Sequence, residues 1–288
     1  MIIVIVGPTG VGKTKLSIEL AKKYHAEVIN ADSMQVYKDL DIGTAKVKEE
    51  EKENICHHLF DICEIEDVYT VADYQKDCRS KIDELQKKGK NIIIVGGTGL
   101  YIRAALYDYS FPKIEWHEYQ DLSNLDIIKK IEGYNQVPCS HINNRRRLIA
   151  QLNKLDSNIK IETNGNKKLY DFKVIGLTAP RDILYKKIND RVEDMIKDGL
   201  LEEVKSFYNR HIYTKAIETG IGYKELYQYF DGNISLEEAV ELIKRNSRRY
   251  AKRQYTFFNN QMNVKWFNTN YEDFSKTVNE VYKYIENK

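Results

Sequence analysis

Ile2-Ile3-Val4-Ile5-Val6-Gly7-Pro8-Thr9-Gly10-Val11-Gly12-Lys13-Thr14 is the stretch on which the fold turns. A continuous β-branched run reads as a strand buried on both faces of a parallel sheet. It passes without a break into the pattern G-x-x-x-x-G-K-[ST]. In such a loop the glycines let backbone N–H groups turn inward around phosphate oxygens, Lys13 adds a mobile cation, and the Thr14 hydroxyl is placed to ligate Mg²⁺. Leu16, Leu20 and Ala21 then recur at helical spacing through Tyr24. The helix so predicted, starting near Lys15, aims the positive end of its dipole at the same anion.

Working outward, Glu27 to Ala31 reads as a second strand ending at Asp32, and Val71 to Lys88 as a helix closed by Gly89. Asn91 to Val95 repeats the buried-strand pattern and ends in Gly96-Gly97-Thr98-Gly99; Phe172 to Leu177 is a further strand. Strands alternating with helices predict an α/β fold with a doubly wound parallel sheet. The polar span 108–168, rich in Asn, Lys and Tyr, interrupts this series with helical fragments at Ile127–Ile131 and Arg145–Leu155. It reads as a small helical insertion domain, with the core domain made of 1–107 and 169–288. Two helices are expected to close the chain, Asp182 to Leu200 and Leu236 to about Phe257, the second behind a Ser235-x-x-Glu238 capping box.

With 288 residues, 42% hydrophobic and 31% charged, the chain has the composition of a globular protein able to bury a core without staples. Cys56, Cys63, Cys78 and Cys139 form no CxxC pair, which argues against a zinc knuckle and for reduced thiols in a cytoplasm. The first apolar run is too short to span a membrane, so no membrane association is expected. The net charge of +2 excludes little, but its distribution is informative. From Leu242 to Tyr271 no Asp or Glu occurs, while Lys244, Arg245, Arg248, Arg249, Lys252, Arg253 and Lys265 do. On a helical wheel the first six form two i,i+4 rows on one half, with Val240, Ile243, Ser247, Tyr250, Gln254 and Phe257 on the other. A six-cation face of this kind suits a polyanion, and RNA fits better than a membrane because no large apolar residues interleave the cations.

Ligands of open α/β sheets sit outside the carboxyl ends of the strands, where Asp32 falls. Facing a bound phosphoryl or diphosphate group, it is either a general base for an attacking nucleophile or the cap of a turn. Ser33 and Gln35 offer hydrogen bonds to a heterocycle edge, and Thr98 lies on a neighbouring turn. The strand Asn91–Val95 ends in glycines and not in a metal-holding Asp, which argues against a motor or switch GTPase. A small-molecule kinase or another user of a diphosphate remains open.

Gly7 to Thr14, Asp32-Ser-Met-Gln-Val-Tyr37, Leu40-Asp-Ile-Gly-Thr-Ala-Lys46, His57-His-Leu-Phe-Asp61, Gly96-Gly-Thr-Gly-Leu-Tyr101, Gly220-Ile-Gly-Tyr-Lys-Glu225 and Arg249-Tyr-Ala-Lys-Arg-Gln254 together resemble the tRNA dimethylallyltransferases, in that family's order and over nearly the whole chain. The resemblance implies a P-loop NTPase-like fold. The activity implied is transfer of the dimethylallyl group of dimethylallyl diphosphate to N6 of adenine 37, beside the tRNA anticodon. It further implies that Gly7, Thr9, Gly10, Val11, Gly12, Lys13, Thr14 and Arg191 hold the donor's diphosphate with Mg²⁺, although loops of this pattern are widely associated with ATP. Asp32 would be the base, assisted by Lys13 and Thr14. Ser33, Met34, Gln35 and Thr98 would hold the flipped-out adenine. Arg146 and Arg147 of the insertion, with Arg248, Arg249, Lys252 and Arg253, would contact the tRNA anticodon arm. A cytoplasmic, monomeric enzyme is expected. The sequence departs from the family pattern at Asn144, where Asp is usual, at Ala150, where Arg is usual, and in an insertion shorter than usual.

Overall fold

The computed structural model describes residues 1–112, 114–139, 142–157 and 165–287; residues 113, 140, 141 and 158–164 of the expected insertion lie outside them. The chain divides into two compact units, Met1–Tyr107 with Lys168–Lys288, and Asp108–Lys167.

In the first unit the elements follow as β1 (Ile2–Val6), α1 (Lys13–Tyr24), β2 (Ala26–Asn30), β3 (His57–His58), α2 (Val71–Lys87), β4 (Asn91–Val95) and α3 (Gly99–Leu106). The second unit carries α4 (Asn124–Gly133) and α5 (Arg145–Asp156). The first unit resumes with β5 (Phe172–Thr178), α6 (Arg181–Lys197), α7 (Leu200–Asn209), α8 (Lys215–Thr219), α9 (Tyr223–Phe230), α10 (Leu236–Gln261), β6 (Lys265–Asn268) and α11 (Phe274–Glu286).

The strands form one parallel sheet in the order β3-β2-β4-β1-β5-β6. All five residues of β1 are buried, because it lies between β4 and β5 with both faces covered. Ile3 and Ile5 join Val28, Ile93 and Ile175 under Leu16 and Leu20 of α1 and Val278, Val281 and Ile285 of α11; α2 and α3 pack against each other. A second core within this unit packs Val36 and Leu40 against α6, α7, α9 and α10 through Val192, Leu200, Val204, Phe207, Tyr223, Leu226 and Ile243.

Three expectations need correction. Among the described residues six helices and a strand follow β5, not two helices alone. The apolar spacing of Val278, Val281 and Ile285 did carry the signal for α11, whereas β6 is a short edge strand whose pairing lies wholly in β5. The basic helix runs on to Gln261, and β2 ends at Asn30, two residues before Asp32.

In the second unit Leu148, Ile149 and Leu152 of α5 pack on Ile127 and Ile131 of α4. Asn144 caps α5, its side chain accepting from Arg147 N at 3.2 Å. Asn and Asp are equally good caps, so the departure at this position keeps the helix start. Arg145 ties the same end to Tyr119 O at 2.7 Å and Leu122 O at 2.8 Å, which leaves the exposed Arg146 and Arg147 on the outer side of the unit.

Candidate active site

The phosphate loop joins β1 to α1 at the carboxyl end of the sheet. Gly7, Gly10 and Gly12 adopt positive φ of 139°, 84° and 86°. A Cβ on Gly7 would stand 2.4 Å from Leu177 O, so this glycine is required by close approach as well as by conformation. Residues far along the chain hold the loop in shape. Thr269 Oγ1 donates to Val11 O at 2.9 Å, Tyr271 Oη to Gly10 O at 3.1 Å, and the Phe274 ring lies against Gly12. Lys13 Nζ folds back to donate to Pro8 O at 2.8 Å.

The loop opens into a cavity of about 770 Å³. Around its polar end stand Thr9, Gly10, Gly12, Lys13, Thr14, Asp32 and Arg191. Burial, and then the neighbouring Arg191, lower Lys13 to about 8, while Asp32 opposes them. Burial also lowers Arg191, and Asp32 again opposes the shift. Two cations and one carboxylate are therefore mutually within electrostatic reach in a site of low polarity, where each charge acts more strongly than in water. The acids beside Arg191 on α6 are paired elsewhere, Asp194 with Lys197 and Glu193 with Lys244.

Asp32 is oriented by its own turn. Its N–H donates to Asn30 Oδ1 at 2.8 Å and its Oδ1 accepts from Met34 N at 3.0 Å, so the carboxylate does cap a turn while it also lines the cavity. Ser33, Met34 and Gln35 line the cavity too. Gln35 Nε2 is committed to Thr44 O at 3.0 Å, in a loop whose N–H groups at Asp41, Ile42 and Gly43 all donate to the Glu203 carboxylate at 2.7–3.2 Å. Tyr223 Oη donates to the same carboxylate at 2.6 Å. Apolar lining comes from Met34, Val47, Ile188, Val192, Met195 and Ile243. On α6, residues 188, 191, 192 and 195 share a face, which carries the cavity from the phosphate loop into this apolar part.

Several expected site residues lie elsewhere. Thr98 is not in the lining; its hydroxyl accepts from Ser33 N at 3.0 Å and so braces the Asp32 loop from behind. Gly7 and the fully buried Val11 shape the loop without facing the cavity. The cationic face of α10 is narrower than six. Lys244 is held by Glu193 and Glu241, its side chain only 13% exposed, and Arg248 donates to Asn189 Oδ1 at 2.6 Å. Arg245, Arg249, Lys252 and Arg253 are exposed, and Arg253 also reaches the cavity. The pairing of Lys244 with Glu193 comes from α6, which the absence of acids after Glu241 could not reveal.

The half of α10 opposite the cations reaches the site. Ile243, Ser247, Tyr250 and Gln254 line the cavity. Tyr250 is pushed up to about 12, by burial first and by the Asp32 charge second, so it stays a protonated phenol. Gly220 to Lys224, from the α8–α9 connection into the start of α9, line it as well. Among the described residues no cluster of His, Cys, Asp and Glu could by itself hold a metal, and no helix is long and apolar enough to cross a membrane.

Residues 35–261 match the family model described as IPP transferase. The chain is 48% identical over 300 residues to a tRNA dimethylallyltransferase of Anoxybacillus flavithermus, covering 100% of this chain and 96% of the relative. Among solved structures, the full-length tRNA isopentenylpyrophosphate transferase of Bacillus halodurans superposes with a TM-score of 0.79 at 40% identity, over 99% of this chain and 95% of the other. A eukaryotic dimethylallyltransferase acting on tRNA gives 0.79 at 27% identity, over 100% of this chain and 80% of the other. A sheet of this order, its phosphate loop and these similarities agree: the chain belongs to the IPP transferase family, that of the tRNA dimethylallyltransferases.

Proposed function

We propose that the protein transfers the dimethylallyl group of dimethylallyl diphosphate to N6 of adenine 37 beside a tRNA anticodon, releasing diphosphate. The observation that carries this reading is one cavity in which Lys13 and Arg191 face Asp32 beside an apolar wall.

The chemistry sets three tasks. An aromatic amine is a poor nucleophile, so the leaving group must be neutralised as the allylic C–O bond breaks. Lys13, Arg191 and the inward N–H groups of Gly10 to Thr14 do this for the diphosphate. Magnesium would be held by the Thr14 hydroxyl together with diphosphate oxygens and water, as suits an ion that needs few protein ligands. When bound, it supplies further charge to the departing diphosphate. The second task is positioning: Ser33, Met34 and Gln35 hold the adenine, while Ile188, Val192 and Met195 hold the dimethylallyl group. The third is proton removal. As the new C–N bond forms, N6 gives a proton to Asp32.

The adenine must leave its stack to enter the cavity, at a cost of a few kcal/mol that RNA contacts offset. Arg245, Arg249, Lys252 and Arg253 on the first unit, and Arg146 and Arg147 on the second, would supply these contacts to the anticodon arm. The protein acts as a monomer in the cytoplasm. The test is incubation with dimethylallyl diphosphate and an anticodon stem-loop, followed by mass spectrometry. A gain of one dimethylallyl group on adenine 37 is expected. Phosphate transfer from ATP to a small molecule, or prenylation of free AMP in place of the stem-loop, would overturn the proposal.

A further inference from the structure

Gln254 is on the inner half of α10, one residue beyond Arg253, and is only 5% exposed. Its side chain joins two loops that the sequence keeps far apart. Thr9 N, in the phosphate loop, donates to Gln254 Oε1 at 3.0 Å. Gln254 Nε2 donates to Gly97 O at 3.2 Å, in the turn after β4. The fit is close: a Cβ on Gly97 would stand 1.9 Å from Gln254 Nε2. Beside Gly97, Thr98 accepts from Ser33 N at 3.0 Å and so fixes the loop that carries Asp32. Tyr250, one turn earlier on α10, stands within hydrogen-bonding reach of Thr98 and Gln254.

One amide thus links the helix that carries the exposed cations to the diphosphate loop on one side and the Asp32 loop on the other. An apolar side chain would fill the space, but the amide also offers an acceptor to Thr9 and a donor to Gly97 at once. From this we infer that Gln254 is a positioning residue that couples RNA binding on α10 to the diphosphate loop, an inference that rests on the function proposed above. Movement of α10 when its cations meet RNA reaches Thr9 through one hydrogen bond and Gly97 through the other. Coupling of this kind is reciprocal, so RNA and diphosphate each tighten the binding of the other.

The experiment compares the affinity for pyrophosphate with magnesium, by calorimetry, with and without a saturating anticodon stem-loop. The wild-type protein should bind pyrophosphate about fivefold or more tightly with RNA present. Gln254→Met keeps the bulk and removes both hydrogen bonds; it should bring that ratio close to one while stem-loop affinity measured alone changes less than about twofold. Gly97→Ala, which displaces the amide without removing it, should do the same. A ratio that stays at the wild-type value in a folded Gln254→Met protein, checked by its melting profile, would overturn the inference, as would a wild-type ratio of one. If Gln254→Met does not fold, Gly97→Ala decides alone. Transfer of the allyl group by the wild-type protein is measured in parallel; its absence would count against the proposed function and leave the binding ratio readable.

Discussion

The phosphate loop and the outer face of α10 both present positive charge, under different physical conditions. In the loop a few donors are held by long-range contacts, Thr269 on Val11, Tyr271 on Gly10 and Gln254 on Thr9, and Lys13 is buried enough to lie near 8. On the helix, Arg245, Arg249, Lys252 and Arg253 stand in solvent. Low polarity makes the position of each buried charge decisive, whereas water and salt screen exposed charges so that only their sum matters. Loss of one group should therefore be severe in the cavity and mild on the helix.

The largest effect tests the cavity side. Asp32→Asn keeps the shape of the turn and removes the proposed base; kcat should fall by about 10² to 10⁴ while stem-loop affinity stays within about twofold. Single-turnover transfer and a binding isotherm read the two quantities, and a parallel loss of RNA affinity would break the distinction. Lys13→Met comes next, with a fall of about 10² to 10³ in kcat/KM for the allylic donor. On the helix side, neutralising Arg245, Arg249, Lys252 and Arg253 together should weaken stem-loop binding about 10- to 100-fold and lower its salt slope by about one for each RNA phosphate left without its cation. An unchanged slope would mean that the face is a solvated surface.

A pH series sharpens the contrast within the loop. Because Lys13 lies at about 8 in the free protein, its cation is lost as pH rises through that value, and pyrophosphate binding should weaken by up to about tenfold per unit above it. Binding should take up a proton there, measurable by calorimetry in buffers of different ionisation enthalpy. The linked effect on folding runs the other way. The folded value lies below the unfolded 10.5, so the unfolded chain binds more protons between the two, and this group's contribution to stability rises with pH across that window. The smallest effect is Lys244→Met. Its charge is already matched by Glu193 and Glu241, so RNA affinity should change less than about twofold.

What was legible in the sequence followed from local order. β1 and β4 stood out as β-branched runs of the kind buried on both faces, β5 as a further strand, and the loop after β1 announced itself because its glycines and Lys13 are close neighbours in the chain. β3 was not legible: His57–His58 is two residues long and becomes a strand only by pairing with Val28 and Ile29. The same held for the site. Asp32 was readable from its place after a strand, but the role of Thr98 depended on where Ser33 N points, and Glu203 became an anchor only when three N–H groups from Asp41 to Gly43 converged on it.

α10 shows the boundary most clearly. The helical period by itself divided this helix into a cationic half and a half facing the body, because periodicity is a property of consecutive residues. Which cations stay exposed was decided by Glu193 and Asn189 on α6, and what the inner half touches was decided by the cavity wall. The order of residues along the chain thus determined the family, the four central strands of the sheet and the phosphate loop, whose chemistry is written in neighbouring residues. Only the tertiary structure decided that Tyr250 and Gln254 belong to the cavity and that Lys244 is spent on ion pairs. Burial and charge pairing arise between segments that the sequence keeps far apart.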